Sequence, residues 1–168
     1  MSPVLTPTAD HVMSAPEAAQ AAGITYRQLD YWDRTGWIKP QQVEKMGAGR
    51  PVRRYGRRDV VKLAALAHLG RSGVELRSVA GQVGDSELAL GSLLVVGPFD
   101  LRGAELQVAI ISEADLQATV SIPGRWVVYD PRPLLARLCS MSESAHDNTS
   151  RNRGDSDDAD AGGSRRSA

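Results

Sequence analysis

Two helix-start signals stand near the beginning of the chain with one glycine between them. Together they leave room only for two short helices joined by a tight turn. Ser14 followed by Glu17 forms a capping box, in which hydroxyl and carboxylate satisfy N–H groups that the first helical turn cannot bond internally. Pro16 falls in that first turn, where its missing N–H costs nothing. Ala18, Ala19 and Ala22 make a small-residue face, and Gly23 supplies a left-handed stop. Thr25 with Gln28 then repeats the capping box, Leu29 and Trp32 share one face of the new helix, and Gly36 ends it before Lys39-Pro40. Two helices linked in this way form a helix-turn-helix.

On the side of the second helix opposite Leu29 and Trp32, at 100° per residue, stand Arg27, Tyr31 and Arg34. Guanidiniums and a phenol on an outward face can reach phosphates and base edges in a major groove, although an ordinary solvated helix carries similar residues. Downstream, Gln41 to Tyr55 reads as two extended arms around Met46-Gly47-Ala48-Gly49, with Pro51 placing the start of the second arm at an edge. The hairpin carries Lys45, Arg50, Arg53 and Arg54, cations that can lie along a phosphate backbone or equally face water. Gly56 and Asp59 then start a helix with Val60, Leu63, Leu66 and Ala67 on one face, and Gly70 is its expected stop. A weakly capped helix with Leu76, Val79, Ala80 and Val83 follows Ser72-Gly73.

Charge is distributed unevenly along this plan. The 168 residues carry 20 Lys+Arg and 20 Asp+Glu, yet residues 1–82 hold 12 cations against 7 anions. Seven of those cations (Lys45, Arg50, Arg53, Arg54, Arg57, Arg58 and Lys62) fall within 43–62, and five of the eight aromatics (Tyr26, Tyr31, Trp32, Trp37, Tyr55) lie nearby. A basic patch on an otherwise acidic chain suggests a polyanionic partner. The single Cys139 excludes an internal disulfide framework and a multi-thiolate zinc module, and His11, His68 and His146 are scattered, so no metal or cofactor is expected. No apolar run approaches the roughly 20 residues of a membrane span, and the start lacks the pattern of a secretory signal. The expected setting is the cytoplasm, in association with the nucleoid.

The order of elements and these residues resemble the N-terminal winged helix-turn-helix domain of the MerR family of bacterial transcriptional regulators. The resemblance rests on Ala18 to Thr25, Leu29 to Pro40, Arg53-Arg54-Tyr55 with Asp59-Val60 and Leu63, and Leu69 to Val74. It implies a recognition helix in the major groove, with Thr25, Tyr26, Arg27, Tyr31 and Arg34 at the matching positions. It also implies a wing whose Arg53 and Tyr55 touch the DNA backbone. Double-stranded DNA, a second copy of the chain and RNA polymerase are the partners it implies. Asp30 departs from the family, which usually carries Arg there, and an acid would repel phosphate or accept from a cytosine amine.

A larger departure follows residue 83, where family members continue into a long coiled-coil helix. Gly84, Gly91, Gly97-Pro98, Pro123-Gly124 and Pro131 preclude one here. Leu93 to Gly97, Glu105 to Ile111 and Arg125 to Tyr129 read as strands, Ser112 with Asp115 starts a short helix, and Asp130-Pro131 caps a final helix from Arg132 to Leu138. So small a unit is expected to dock on the first domain or on a second subunit. The expected class is α+β: a loose stretch at 1–10, a winged helix-turn-helix at 11–84, a β-β-α-β-α module at 86–139 for dimerisation or effector sensing, and a disordered tail at 140–168. That tail contains no aromatic residue and no Leu, Ile or Val. No phosphate loop, activated nucleophile or clustered carboxylate pair points to an enzyme. The alternatives to a regulator are an architectural DNA-binding protein of the excisionase type and an adaptor that uses the winged domain to bind protein.

Overall fold

The computed structural model describes residues 12–46, 50–88, 92–97, 106–121 and 124–151, with the side chains of 42–51 and 142–151 left out of the description. Residues 1–11 and 152–168, and the expectations made for them, lie outside it. The chain is a mixture of helix and strand in the expected order. It runs β1 (Met13–Ser14), α1 (Ala15–Ala22), α2 (Tyr26–Arg34), β2 (Gln42–Met46), β3 (Arg50–Tyr55), α3 (Arg57–Arg71), α4 (Leu76–Asp85), β4 (Ser92–Gly97), β5 (Gln107–Ser112), α5 (Glu113–Val120), β6 (Val127–Tyr129) and α6 (Arg132–Arg151).

Local chemistry accounts for the first turns. The Glu17 carboxylate accepts from the Ser14 N–H and hydroxyl, each at 2.8 Å, and Gly23 takes φ +69° to close α1. At α2 the exchange is reciprocal: Thr25 N–H donates to Gln28 Oε1 at 2.9 Å, and Gln28 N–H donates to Thr25 Oγ1 at 3.2 Å. Gly36, at φ +74°, turns the chain out of α2.

The first sheet has the antiparallel order β1-β3-β2. β1 is a strand that the sequence did not suggest. It pairs only Met13 with Tyr55 and Ser14 with Arg54, so Pro51, opposite Lys45, faces no partner on that side and needs none. α3 is the hub. Val60, Val61, Leu63, Ala64, Ala65, Leu66, Ala67 and Leu69 are all buried, which makes it a core helix rather than a one-faced one. It passes through Gly70, the expected stop, and ends at Arg71 with Gly73 at φ +84°. The reason is packing: a Cβ on Gly70 would stand 3.3 Å from Leu76 Cδ1, so this glycine serves a close helix approach.

The second sheet is antiparallel with order β5-β4-β6. Ser112 Oγ accepts from Asp115 N–H at 3.3 Å to start α5, and Asp130 Oδ1 accepts from Arg132 N–H at 2.9 Å to start α6. The second sheet and α6 pack against α3 and α4. Leu94, Val96, Val127, Tyr129, Leu134 and Leu138 belong to the same buried cluster as Leu29, Trp32 and the α3 core. Burying such side chains stabilises by about 1.5–3 kcal/mol each before the entropy of ordering is counted. α6 runs to Arg151, past Leu138, where the final helix is expected to end, and past Ser140, the expected start of the tail. From Ser140 to Arg151 there is neither Gly nor Pro, and extending a formed helix is far cheaper than starting one.

Candidate nucleic-acid interface

The two faces of α2 separate cleanly. Leu29 and Trp32 are buried, whereas Tyr26 is 58% exposed and Tyr31 43%, with Thr25, Arg27 and Arg34 also exposed. Tyr31 does not wave free: its ring meets Trp37 edge-on, with centroids 5.7 Å apart and planes at 81°. Trp37 in turn lies against Trp32 at 6.4 Å, so the outward phenol is braced from the core.

On β3, side chains alternate between faces, so Arg53 and Tyr55 point one way and Arg54 the other. The Arg53–Tyr55 face is the one that packs toward the helices. Here the expectation for Tyr55 is corrected: it is fully buried in the core and offers no surface to a ligand. Burial pushes its phenol up to about 12. Arg53 is drawn inward with it. One guanidinium nitrogen sits 3.0 Å from Asp30 Oδ1 and 2.7 Å from Asp33 Oδ2, and the side chain is only 28% exposed.

Asp30, the residue at which the resemblance breaks, is paired with Arg53 and with Arg34 one turn on. Its hydrogen bond from Arg53 holds its carboxyl below the ordinary carboxylate value, with Arg34 adding to the effect. Asp33 behaves oppositely. Burial outweighs the attraction of Arg53 and raises its pKa. Asp33 was not singled out from the sequence. The available signal was the i, i+3 spacing of Asp30 and Asp33, which puts both carboxylates on one stretch of helix surface.

Arg54 is half-buried, and its backbone pairs with Gln42 on one side and Ser14 on the other. Lys45 and Arg50 flank the hairpin turn, in register with Pro51 and Met46; their side chains lie outside the described residues. Arg57 and Arg58 stand at the start of α3, and Gly56 N–H donates to Asp59 Oδ2 at 2.9 Å beside them. Among the described residues, Arg53 bridges α2 and the ribbon.

Among the described residues no three His, Cys, Asp or Glu side chains converge as metal ligands. His68 packs on the ring of Tyr129 at 5.5 Å, and Arg57 donates to Cys139 Sγ at 3.6 Å. No helix among them is long and apolar enough to cross a membrane.

Part of the chain is similar to known proteins. Residues 13–81 match the family described as MerR HTH family regulatory protein. A stretch of 64 residues is 41% identical to an uncharacterized HTH-type transcriptional regulator of Mycobacterium bovis, and equally to ones from two strains of Mycobacterium tuberculosis. The match covers 38% of this chain and only 28% of each relative's length.

Proposed function

We propose that the chain is a DNA-binding transcriptional regulator of the MerR type rather than an enzyme, a reading supported by the family match over residues 13–81. The carrying observation is the outer face of α2, where Tyr26, Arg27, Tyr31 and Arg34 stand exposed on a helix whose other face is locked into the core. In this reading α2 enters the major groove. Arg27 and Arg34 reach phosphate or guanine edges, Tyr26 and braced Tyr31 contact sugar and base, and Thr25 lies nearest the backbone at the helix start. The ribbon lies along the flanking phosphates through Lys45, Arg50 and Arg54.

A single head of this size reads few base pairs, so two copies on a two-fold site are part of the proposal, with the 86–139 module contributing to their contact or to sensing. RNA polymerase is the further partner such a regulator would engage, and the nucleoid is where it would act. Fluorescence anisotropy against genomic fragments tests the reading: some fragments should bind well above random duplex. Equal affinity for all would remove sequence-specific regulation. Sequencing the fragments retained by the protein would give the half-site spacing and hence the dimer geometry.

A further inference from the structure

We infer that Arg53 is a strut rather than a phosphate ligand, and that Asp33 is a positioning residue which sets the wing against the recognition helix for DNA binding. The inference rests on the DNA-binding reading above and departs from it at one residue, the arginine that the family resemblance would place on the DNA backbone.

The argument begins with connectivity. α1 packs against both α2 and β3, while the direct bridge between α2 and β3 is made by side chains: Arg53 to Asp30 at 3.0 Å and Arg53 to Asp33 at 2.7 Å. Arg53 is also fixed from the other side, because its backbone is in register with Val43 of β2. The guanidinium therefore ties both arms of the ribbon to the helix. Its position beside buried Tyr55, on the inward face of β3, aims it away from a duplex lying across the outer surface.

Partner burial separates a strut from a transient contact. The Asp33 side chain is only 13% exposed, so releasing Arg53 to a phosphate would strand a carboxylate in a mostly dry site. Arg34 is the contrast. Its side chain is 71% exposed, and it shares only Asp30, so it can exchange that carboxylate for a phosphate at little cost. Asp30 and Asp33 thus divide their work: Asp30 holds Arg34 and Arg53 together, and Asp33 holds Arg53 alone.

The test uses the full chain, a labelled random-sequence duplex, and anisotropy over a salt series. Asp33→Asn removes an anion close to a polyanion, so simple electrostatics says that binding tightens. The strut says that binding weakens by about 10-fold or more as the wing loses its angle. Arg53→Met is expected to weaken binding with the salt slope kept, whereas Arg27→Met lowers the slope by about 0.9, one phosphate contact. Tighter binding by Asp33→Asn, or a slope loss of that size in Arg53→Met, overturns the inference.

Hydrogen exchange distinguishes failure of the strut from failure of the DNA reading. In Asp33→Asn, exchange of the β2 and β3 amides should rise while α3 stays protected. Unchanged exchange in the ribbon overturns the strut whether or not the chain binds DNA. Absence of wild-type binding, with the ribbon loosened as expected, overturns only the DNA reading.

Discussion

The carbonyl oxygen of Trp37 occupies the space that a side chain on Gly84 would need, 2.3 Å from where its Cβ would stand. The turn leaving α2 and the last turn of α4 therefore touch backbone to backbone. Lys62 fastens the same corner by donating to the Gly84 carbonyl at 2.6 Å.

Gly84→Ala is accordingly expected to destabilise the protein by about 1–3 kcal/mol, the usual cost of overpacking a rigid site. Urea unfolding followed by circular dichroism reads this directly. An unchanged midpoint would mean that the Trp37 turn yields freely.

Leu138→Ala is expected to cost about 2–5 kcal/mol, because Leu138 is buried in the cluster that joins α6 to α3. Unfolding should remain one transition, with tryptophan fluorescence and far-ultraviolet dichroism shifting together. Two separated transitions would show that the C-terminal module melts by itself.

Asp30 and Asp33 should titrate on opposite sides of the ordinary carboxylate value, Asp30 below and Asp33 above. The signs have opposite consequences for folding. The stabilisation from Asp30 is present above its unfolded pKa and fades as pH falls through its folded one. Ionised Asp33 costs net folding stability, so its contribution is fullest below its unfolded pKa and is lost as pH rises through the folded one. The ionised form is nonetheless the one that grips Arg53 and fixes the ribbon's angle. Carboxyl-carbon NMR shifts over an acid titration should show Asp33 protonating first as pH drops. The reverse order would contradict the burial that governs Asp33.

Arg27→Glu and Arg34→Glu should each cut duplex affinity sharply and flatten its salt dependence, since each replaces an exposed cation with an anion at the proposed groove face. Retained affinity and slope in both would favour the adaptor alternative, in which the winged domain binds protein.

Elements whose causes are local could be read from the sequence. The Ser14–Glu17 and Thr25–Gln28 boxes act across three residues and mark the starts of α1 and α2. Elements whose causes are remote could not. β1 exists only because Met13 and Ser14 meet Tyr55 and Arg54, and no two-residue pattern announces that. Gly70 carries the chemistry of a stop but serves a contact with Leu76, which only the packed structure specifies. The outward α2 face followed from helical periodicity, because Leu29 and Trp32 define the inward one. The fate of Arg53 depended on Tyr55 being core rather than surface, which aromatic composition leaves open. Once Tyr55 is placed inside, alternation along the strand turns Arg53 inward as well.

The shared core has a practical meaning for anyone who would dissect the protein. A fragment cut after α4 would bare the flank of α3 around Ala64 and the His68 ring, which β6 and α6 now shelter from water. Such a piece would carry an oily scar where its own second half belongs. The winged region is therefore best studied attached to the rest of the chain.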